Sequence, residues 1–96
     1  MSTKPLFVPL RTQYFRAFEA GTKRTEYRRY GPRWNERTCW IGRAVTLSHG
    51  YSGSRLCACV ASVQRISASS LADPDPYAPA DELIAIELEL LGPIDR

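Results

Sequence analysis

Residues 54–66 read "SRLCACVASVQRI", and this stretch decides the fold. Apolar or small side chains occupy both faces of an extended chain here, which is typical of a strand in the middle of a sheet. The preceding segment "IGRAVTLSHGY" (41–51) places Val45 and Leu47 on one face and ends near Gly50. Because only a short turn separates the two segments, the sequence predicts an antiparallel hairpin.

Three further segments predict strands around this hairpin. "PLFVPL" (5–10) has an apolar centre between prolines, which suits a short edge strand. "KRTEYRRY" (23–30) alternates, with Glu26 and Arg28 on the same face. "LIAIELELL" (83–91) alternates apolar residues with glutamates, so it predicts a half-buried strand. The residues of this last strand that should face the core are Ile84, Ile86, Leu88 and Leu90.

One helix is predicted between the first two strands, over residues 13–20, because aromatic residues recur there at helical spacing. Thr12 is a suitable N-cap, and Gly21 stands where a left-handed C-terminal cap is expected. Residues 67–82 contain three prolines and no periodicity. They predict a surface loop with one short helical turn near 79–83.

The 96 residues therefore predict one small domain, residues 1–96, of the α+β class with mainly β structure. It contains about five to six strands and one early helix. At this size, closing the sheet into a small barrel is the natural way to cover the strand edges.

Composition favours a cytoplasmic protein that does not enter a membrane. No apolar run approaches the roughly 20 residues that cross a bilayer, and the N-terminus lacks the apolar stretch of a signal peptide. Cys39, Cys57 and Cys59 should then be reduced thiols. Together with His49 they offer four zinc ligands, but none of their spacings is that of a zinc knuckle. We expect small buried hydrophobes, with no metal and no cofactor.

The net charge of +3 is unevenly distributed along the chain. Residues 1–66 carry twelve Lys and Arg against three acids, whereas residues 67–96 carry one arginine against seven acids. Such asymmetry indicates a positive surface that could meet phosphates. Alternatively, the basic and acidic parts pair with each other across the fold.

The stretch "AGTKRTEYRR" (20–29) places charged residues just after the helix. Gly21 lets the chain leave the helix with a positive φ, and Lys23 follows on the turn. Glu26 and Arg28 can form an ion pair that orients the guanidinium for a phosphate or a base edge. The alternative is a solvated pair worth under about 1 kcal/mol, with Lys23 merely on a turn.

The order of these segments resembles the ASCH domain family, which belongs to the PUA-like superfamily of small barrels associated with RNA. The family's signature is a glycine that ends the first helix, then a lysine, then Glu-x-Arg; it matches Gly21, Lys23, Glu26 and Arg28. "WIGRAVTLSHGYSGSRLCACVASV" is similar to the family's second segment, although Arg43 stands where the family usually has an acid. The similarity spans roughly residues 6–66, with 83–91 as the closing strand.

The resemblance implies a PUA-like barrel whose cleft, around Gly21 and the charged residues, binds RNA, a nucleotide or a nucleoside. Arg28 would grip an anionic or carbonyl group, Glu26 would orient it, and Lys23 would close over the site. The basic and aromatic residues that would form a nucleic-acid rim are Arg24, Arg29, Arg33, Trp34 and Arg37. Trp40 is expected in the core because an apolar strand follows it.

Two other functions stay open. Family members also include hydrolases, so Lys23 and Glu26 could transfer protons in a ribonuclease, or in an amidohydrolase acting on a modified nucleoside such as N4-acetylcytidine. Lys23 matches the lysine of those amidohydrolases, but Glu26 stands where they have a threonine, which argues against the same reaction. The remaining reading is a protein-interaction module that uses the acidic C-terminal segment.

Overall fold

The computed structural model describes residues 4–72 and 76–94. The elements, in chain order, are β1 (Leu6–Leu10), α1 (Thr12–Ala20), β2 (Thr25–Arg29), β3 (Ala44–His49), β4 (Arg55–Ser67), a 3-10 turn (Ala68–Ser70) and β5 (Glu82–Pro93). Among the described residues, no helix has both the length and the apolar character that a membrane span requires.

The five strands form one sheet, in the order β1-β3-β4-β5-β2, that curves into a half-barrel. β1 runs parallel to β3, and every other neighbouring pair is antiparallel. β3 and β4 form the predicted hairpin, with Val45 opposite Ala58 and Leu47 opposite Leu56. The mainly β, barrel-like fold with one early helix is therefore confirmed, and β1 is an edge strand as its prolines predicted.

Helix α1 packs its aromatic side over the inner face of the sheet. Phe15 and Phe18 are buried, and their neighbours in the core come from every strand except β2. The buried sheet residues of this core are Val8, Leu10, Val45, Leu47, Leu56, Ala58, Val60, Ile84, Ile86 and Leu88. The alternation of β1, β3 and β5 thus explains most of the core, and α1 supplies the cover.

The two ends of α1 differ in how well the sequence predicted them. Gly21 forms the C-cap with φ 80°, and its N–H reaches the carbonyl of Phe18, as expected for a left-handed cap. The prediction of Thr12 as N-cap was wrong, because Arg11 holds that position without a side-chain hydrogen bond. Thr12 is the first helical residue, and its hydroxyl instead contacts His49 Nε2 at 2.8 Å, at the end of β3.

Two apolar residues predicted to be inside lie at the surface. Trp40 is 41% exposed because β3 begins only at Ala44, so Cys39 fills the core while Arg43 stacks on the indole. Leu90 is 39% exposed and lines a small cavity together with Phe18 and Gly21 at the end of α1. Trp34, in contrast, packs partly buried against the core.

The connection between β4 and β5 is shorter than predicted because both strands extend into it. Glu82 pairs with Ser67, and residues 78–81 form an isolated turn rather than a helix, closed by the N–H of Asp81 on the carbonyl of Ala78. A single 3-10 turn lies instead at Ala68–Ser70, where the Ser67 hydroxyl accepts the N–H of Ser69. Part of the predicted 67–82 loop lies outside the described residues.

Candidate functional site

A cavity of about 730 Å³ opens between the two edge strands of the half-barrel. β1 and the start of α1 form one wall, and β2 forms the other. Residues 71–72 and 76–77, from the connection between β4 and β5, also contribute to the lining. The lining residues are Pro9, Leu10, Arg11, Gln13, Tyr14, Lys23, Glu26, Tyr27, Arg28, Leu71, Ala72, Pro76 and Tyr77. Its volume falls in the range of about 300–1,000 Å³ that is typical of small-molecule sites.

Glu26 and Arg28 form an ion pair inside this cavity that also ties the two edge strands together. Oε2 of Glu26 accepts hydrogen bonds from Arg28 Nε at 3.1 Å and Nη2 at 2.8 Å. The same Nη2 donates to the carbonyl of Pro9 on β1 at 3.0 Å. The guanidinium lies 4.8 Å from the ring centre of Trp34. Arg28 is therefore held in one orientation by three hydrogen bonds and an aromatic face.

Lys23 lies against aromatic rings and beside the carboxylate of Glu26. Its Nζ is 3.9 Å from Glu26 Oε1, and the lysine side chain is largely buried. The ammonium lies within 5.5 Å of three ring centres, those of Tyr14, Phe18 and Tyr27. Such cation–π contacts hold the lysine side chain in place.

Tyr77 brings a further aromatic ring to the cavity. Its hydroxyl donates to the carbonyl of Tyr27 on the free edge of β2 at 2.7 Å. Burial raises the pKa of the Tyr77 phenol, and the nearby carboxylate of Glu26 raises it further. Tyr77 therefore stays a neutral donor, fixed to the wall that also carries Glu26 and Arg28.

The residues that the sequence predicted for the site do not all lie in the same cavity. Lys23, Glu26 and Arg28 line the cavity together, whereas Gly21 caps the helix and lines a second, smaller cavity of about 290 Å³. Arg24 also lines the second cavity, opposite Glu87 and Glu89 of β5.

The predicted nucleic-acid rim is scattered. Arg29 pairs with Asp81 at 3.3 Å, and the ring of Trp34 packs against the guanidinium of Arg28. Arg33 and Arg37 are exposed and belong to neither cavity lining. Residues 31–40, which carry these two arginines, form a loop that is held by hydrogen bonds of the Asn35 side chain to the backbone.

The lining residues that the sequence had not predicted for the site include Arg11, Gln13, Tyr14 and Tyr77. The first three lie in the first turn of α1 or just before it. The helix prediction placed Tyr14 on the apolar face with Phe18, but Tyr14 is 38% exposed and lines the cavity. Tyr77 comes from the proline-rich connection, more than forty residues from β2 in sequence. No local pattern in the sequence places it there.

Charge pairs join the basic and acidic parts of the chain at the surface, next to this site. Arg65 forms a two-bonded pair with Glu82 at 2.9 and 2.7 Å, and Arg29 contacts Asp81. The Arg65 guanidinium lowers the pKa of the Glu82 carboxyl by hydrogen bonding. Ion pairs within the fold therefore neutralise part of the charge asymmetry along the sequence.

The cysteines and the histidine do not assemble into a metal site within residues 4–72 and 76–94. Cys39 is buried in the core, as predicted for a small hydrophobe, whereas Cys57 and Cys59 are half-buried on β4. Burial and the carboxylate of Glu89 raise the pKa of the Cys59 thiol, which keeps it protonated.

No model of a known protein family matches this chain, and no curated protein is detectably similar to it in sequence. The resemblance to ASCH domains therefore rests on the spacing of the motif and on the order of the elements, and it stays a prediction.

Proposed function

We propose that this chain is an ASCH-type, PUA-like module of the cytoplasm that binds RNA or a nucleotide in the cavity between β1 and β2. The observation that carries the proposal is the composition of this one cavity. Three cationic side chains, Arg11, Lys23 and Arg28, line it together with tyrosine rings. Cationic side chains bind phosphates or the polar edges of bases, and bases stack on exposed aromatic rings.

Binding is favoured over hydrolysis by the state of Glu26. A general acid or base must reach the proton that it transfers. One oxygen of Glu26, Oε2, instead accepts two hydrogen bonds from Arg28, and the ammonium of Lys23 lies 3.9 Å from the other oxygen, Oε1. This arrangement suits the positioning of a cation. A ribonuclease or an amidohydrolase at the same cavity is the alternative that the experiment must separate.

The test incubates the protein at low salt with end-labelled single-stranded RNA and follows mobility and strand length in the same sample. The variant is Lys23→Met, which removes the ammonium but keeps a long side chain among the rings. Lys4→Met is the matched control, because Lys4 is exposed and lies outside the cavity lining. Circular dichroism of each variant establishes that the fold is intact.

We expect a mobility shift with intact RNA that Lys23→Met weakens and Lys4→Met leaves nearly unchanged. Affinity should fall steeply as salt is raised, because phosphates are neutralised. RNA shortened only when Lys23 is present would make the hydrolase the better proposal. An affinity for RNA that does not change with salt would refute the binding module and favour a protein partner. The same conclusion would follow if the protein bound neither RNA nor nucleotides.

A further inference from the structure

Arg28 has one nitrogen left for a ligand. A guanidinium grips a phosphate through two parallel N–H groups, either Nη1 with Nη2 or Nε with Nη2. Both arrangements require Nη2, whose two hydrogens are engaged by Glu26 Oε2 and by the carbonyl of Pro9. Within the described part of the chain, Nη1 makes no hydrogen bond. Arg28 therefore offers a ligand in this cavity a single donor group, and no fork.

Glu26 has one oxygen left in the same way. Oε2 accepts both hydrogen bonds from Arg28, so Oε1 is the atom that remains available in the cavity. Its neighbour among residues 4–72 and 76–94 is the ammonium of Lys23 at 3.9 Å, which is too long for a hydrogen bond. The ion pair thus presents one acceptor, Glu26 Oε1, and one donor, Arg28 Nη1, from two adjacent positions on one face of β2.

We infer that this pair holds the polar edge of a nucleobase, with Glu26 Oε1 accepting an N–H of the base and Arg28 Nη1 donating to a neighbouring carbonyl or ring nitrogen. The inference rests on the proposed function and makes it more specific. The phosphate is left to Arg11 and Lys23, the other two cations of the lining. Each of the four bases carries a donor beside an acceptor, which is the pattern that this pair complements. The neighbouring hydroxyls of a ribose offer a similar pattern, so ribose 5-phosphate is the probe that separates base recognition from sugar recognition.

Tyr77 is the ring on which such a base stacks. The ammonium of Lys23 lies 5.4 Å from the ring centres of Tyr14 and of Tyr27, so one face of each of these rings already contacts a cation. Tyr77 is fixed by its hydrogen bond to the Tyr27 carbonyl. A ring held in this way offers a stacking platform beside the donor and acceptor.

The ligand side of the test needs no variant and hence no assumption about folding. The probes are the four nucleoside 5′-monophosphates, ribose 5-phosphate, and analogues whose donor nitrogen is methylated: 3-methyluridine, 1-methylguanosine, N4,N4-dimethylcytidine and N6,N6-dimethyladenosine monophosphates. Equilibrium binding is measured by competition against a labelled oligoribonucleotide. For the nucleotide that binds best, the methylated analogue and ribose 5-phosphate should each bind at least tenfold more weakly.

The protein side of the test uses Tyr77→Leu, with Tyr77→Phe as its matched control. The leucine removes the ring, whereas the phenylalanine keeps the ring and loses only the hydrogen bond to Tyr27. Tyr77→Leu should weaken the best nucleotide by about tenfold and leave ribose 5-phosphate unchanged. Tyr77→Phe should weaken it by much less.

The outcomes separate this inference from the proposed function. Nucleotides that bind as well as their methylated analogues and ribose 5-phosphate would overturn base recognition while leaving phosphate binding intact. No binding by any nucleotide or oligoribonucleotide would overturn both. Mononucleotides that bind as tightly as the oligoribonucleotide would identify a free nucleotide as the ligand; a much tighter oligoribonucleotide would identify an unpaired base within a strand. In both of those cases the base contact stands if methylation weakens binding.

Discussion

Replacing Arg28 with alanine removes the side chain that spans from β2 to β1, and the loss can be estimated from its contacts. Two hydrogen bonds to Glu26 and one to Pro9 disappear, and hydrogen bonds to charged groups contribute about 1.5–3 kcal/mol each. The Arg28 side chain is 24% exposed, so solvent screening reduces these contributions. Glu26, only 8% exposed, would lose its main partner. We expect a total loss of about 2–4 kcal/mol.

Arg29→Ala is the matched control on the same strand. The Arg29 side chain is 68% exposed and contacts Asp81 at 3.3 Å, so its removal should cost under about 1 kcal/mol. Urea unfolding followed by circular dichroism gives both values. A domain of this size shifts its Tm by about 4–8 °C per kcal/mol, so Arg28→Ala should also melt well below the control. Equal losses for the two variants would refute the role of Arg28 as a link between the edge strands.

Two further predictions concern the elements that frame the cavity. Gly21→Ala should lower the free energy of unfolding by about 1–2 kcal/mol, because φ is 80° there. Gly31→Ala is the control, since a Cβ added at Gly31 would meet open space, and it should have little effect in urea unfolding. Tyr77→Phe should cost about 1 kcal/mol at pH 8 through the lost hydrogen bond to Tyr27. Because the Tyr77 pKa is raised above its usual 10.0 in the folded state, wild-type protein should lose more stability than Tyr77→Phe as the pH rises through 10; equal losses would contradict a buried phenol.

The strands and the helix were predictable because their signals are local. Alternation over 83–91 and the hairpin between residues 41–51 and 54–66 give the sheet its centre. The positions that failed depend on where an element stops. Trp40 lies in the segment before β3, where its neighbour Cys39 takes the core position, and Leu90 is partly exposed beside the C-terminal end of α1. The periodicity of the sequence does not indicate that either side chain is exposed.

The candidate site was predictable only on one wall. The spacing of Lys23, Glu26 and Arg28 follows from a turn and a strand, and the structure brings these three side chains together. The opposite wall depends on the pairing of β1 with β3, and Tyr77 reaches the β2 wall from the connection between β4 and β5. Those contacts join residues far apart in sequence, so no local pattern contains them.

The most direct test of the site is a two-dimensional ¹H–¹⁵N NMR titration of the labelled protein with the best-binding nucleoside 5′-monophosphate. We predict that the backbone amides that shift belong to the two walls of the cavity, residues 11–14 and 23–28, and to Tyr77. Shifts confined to the exposed arginines at residues 33–37, or spread evenly over basic surface residues, would contradict a nucleotide site between β1 and β2.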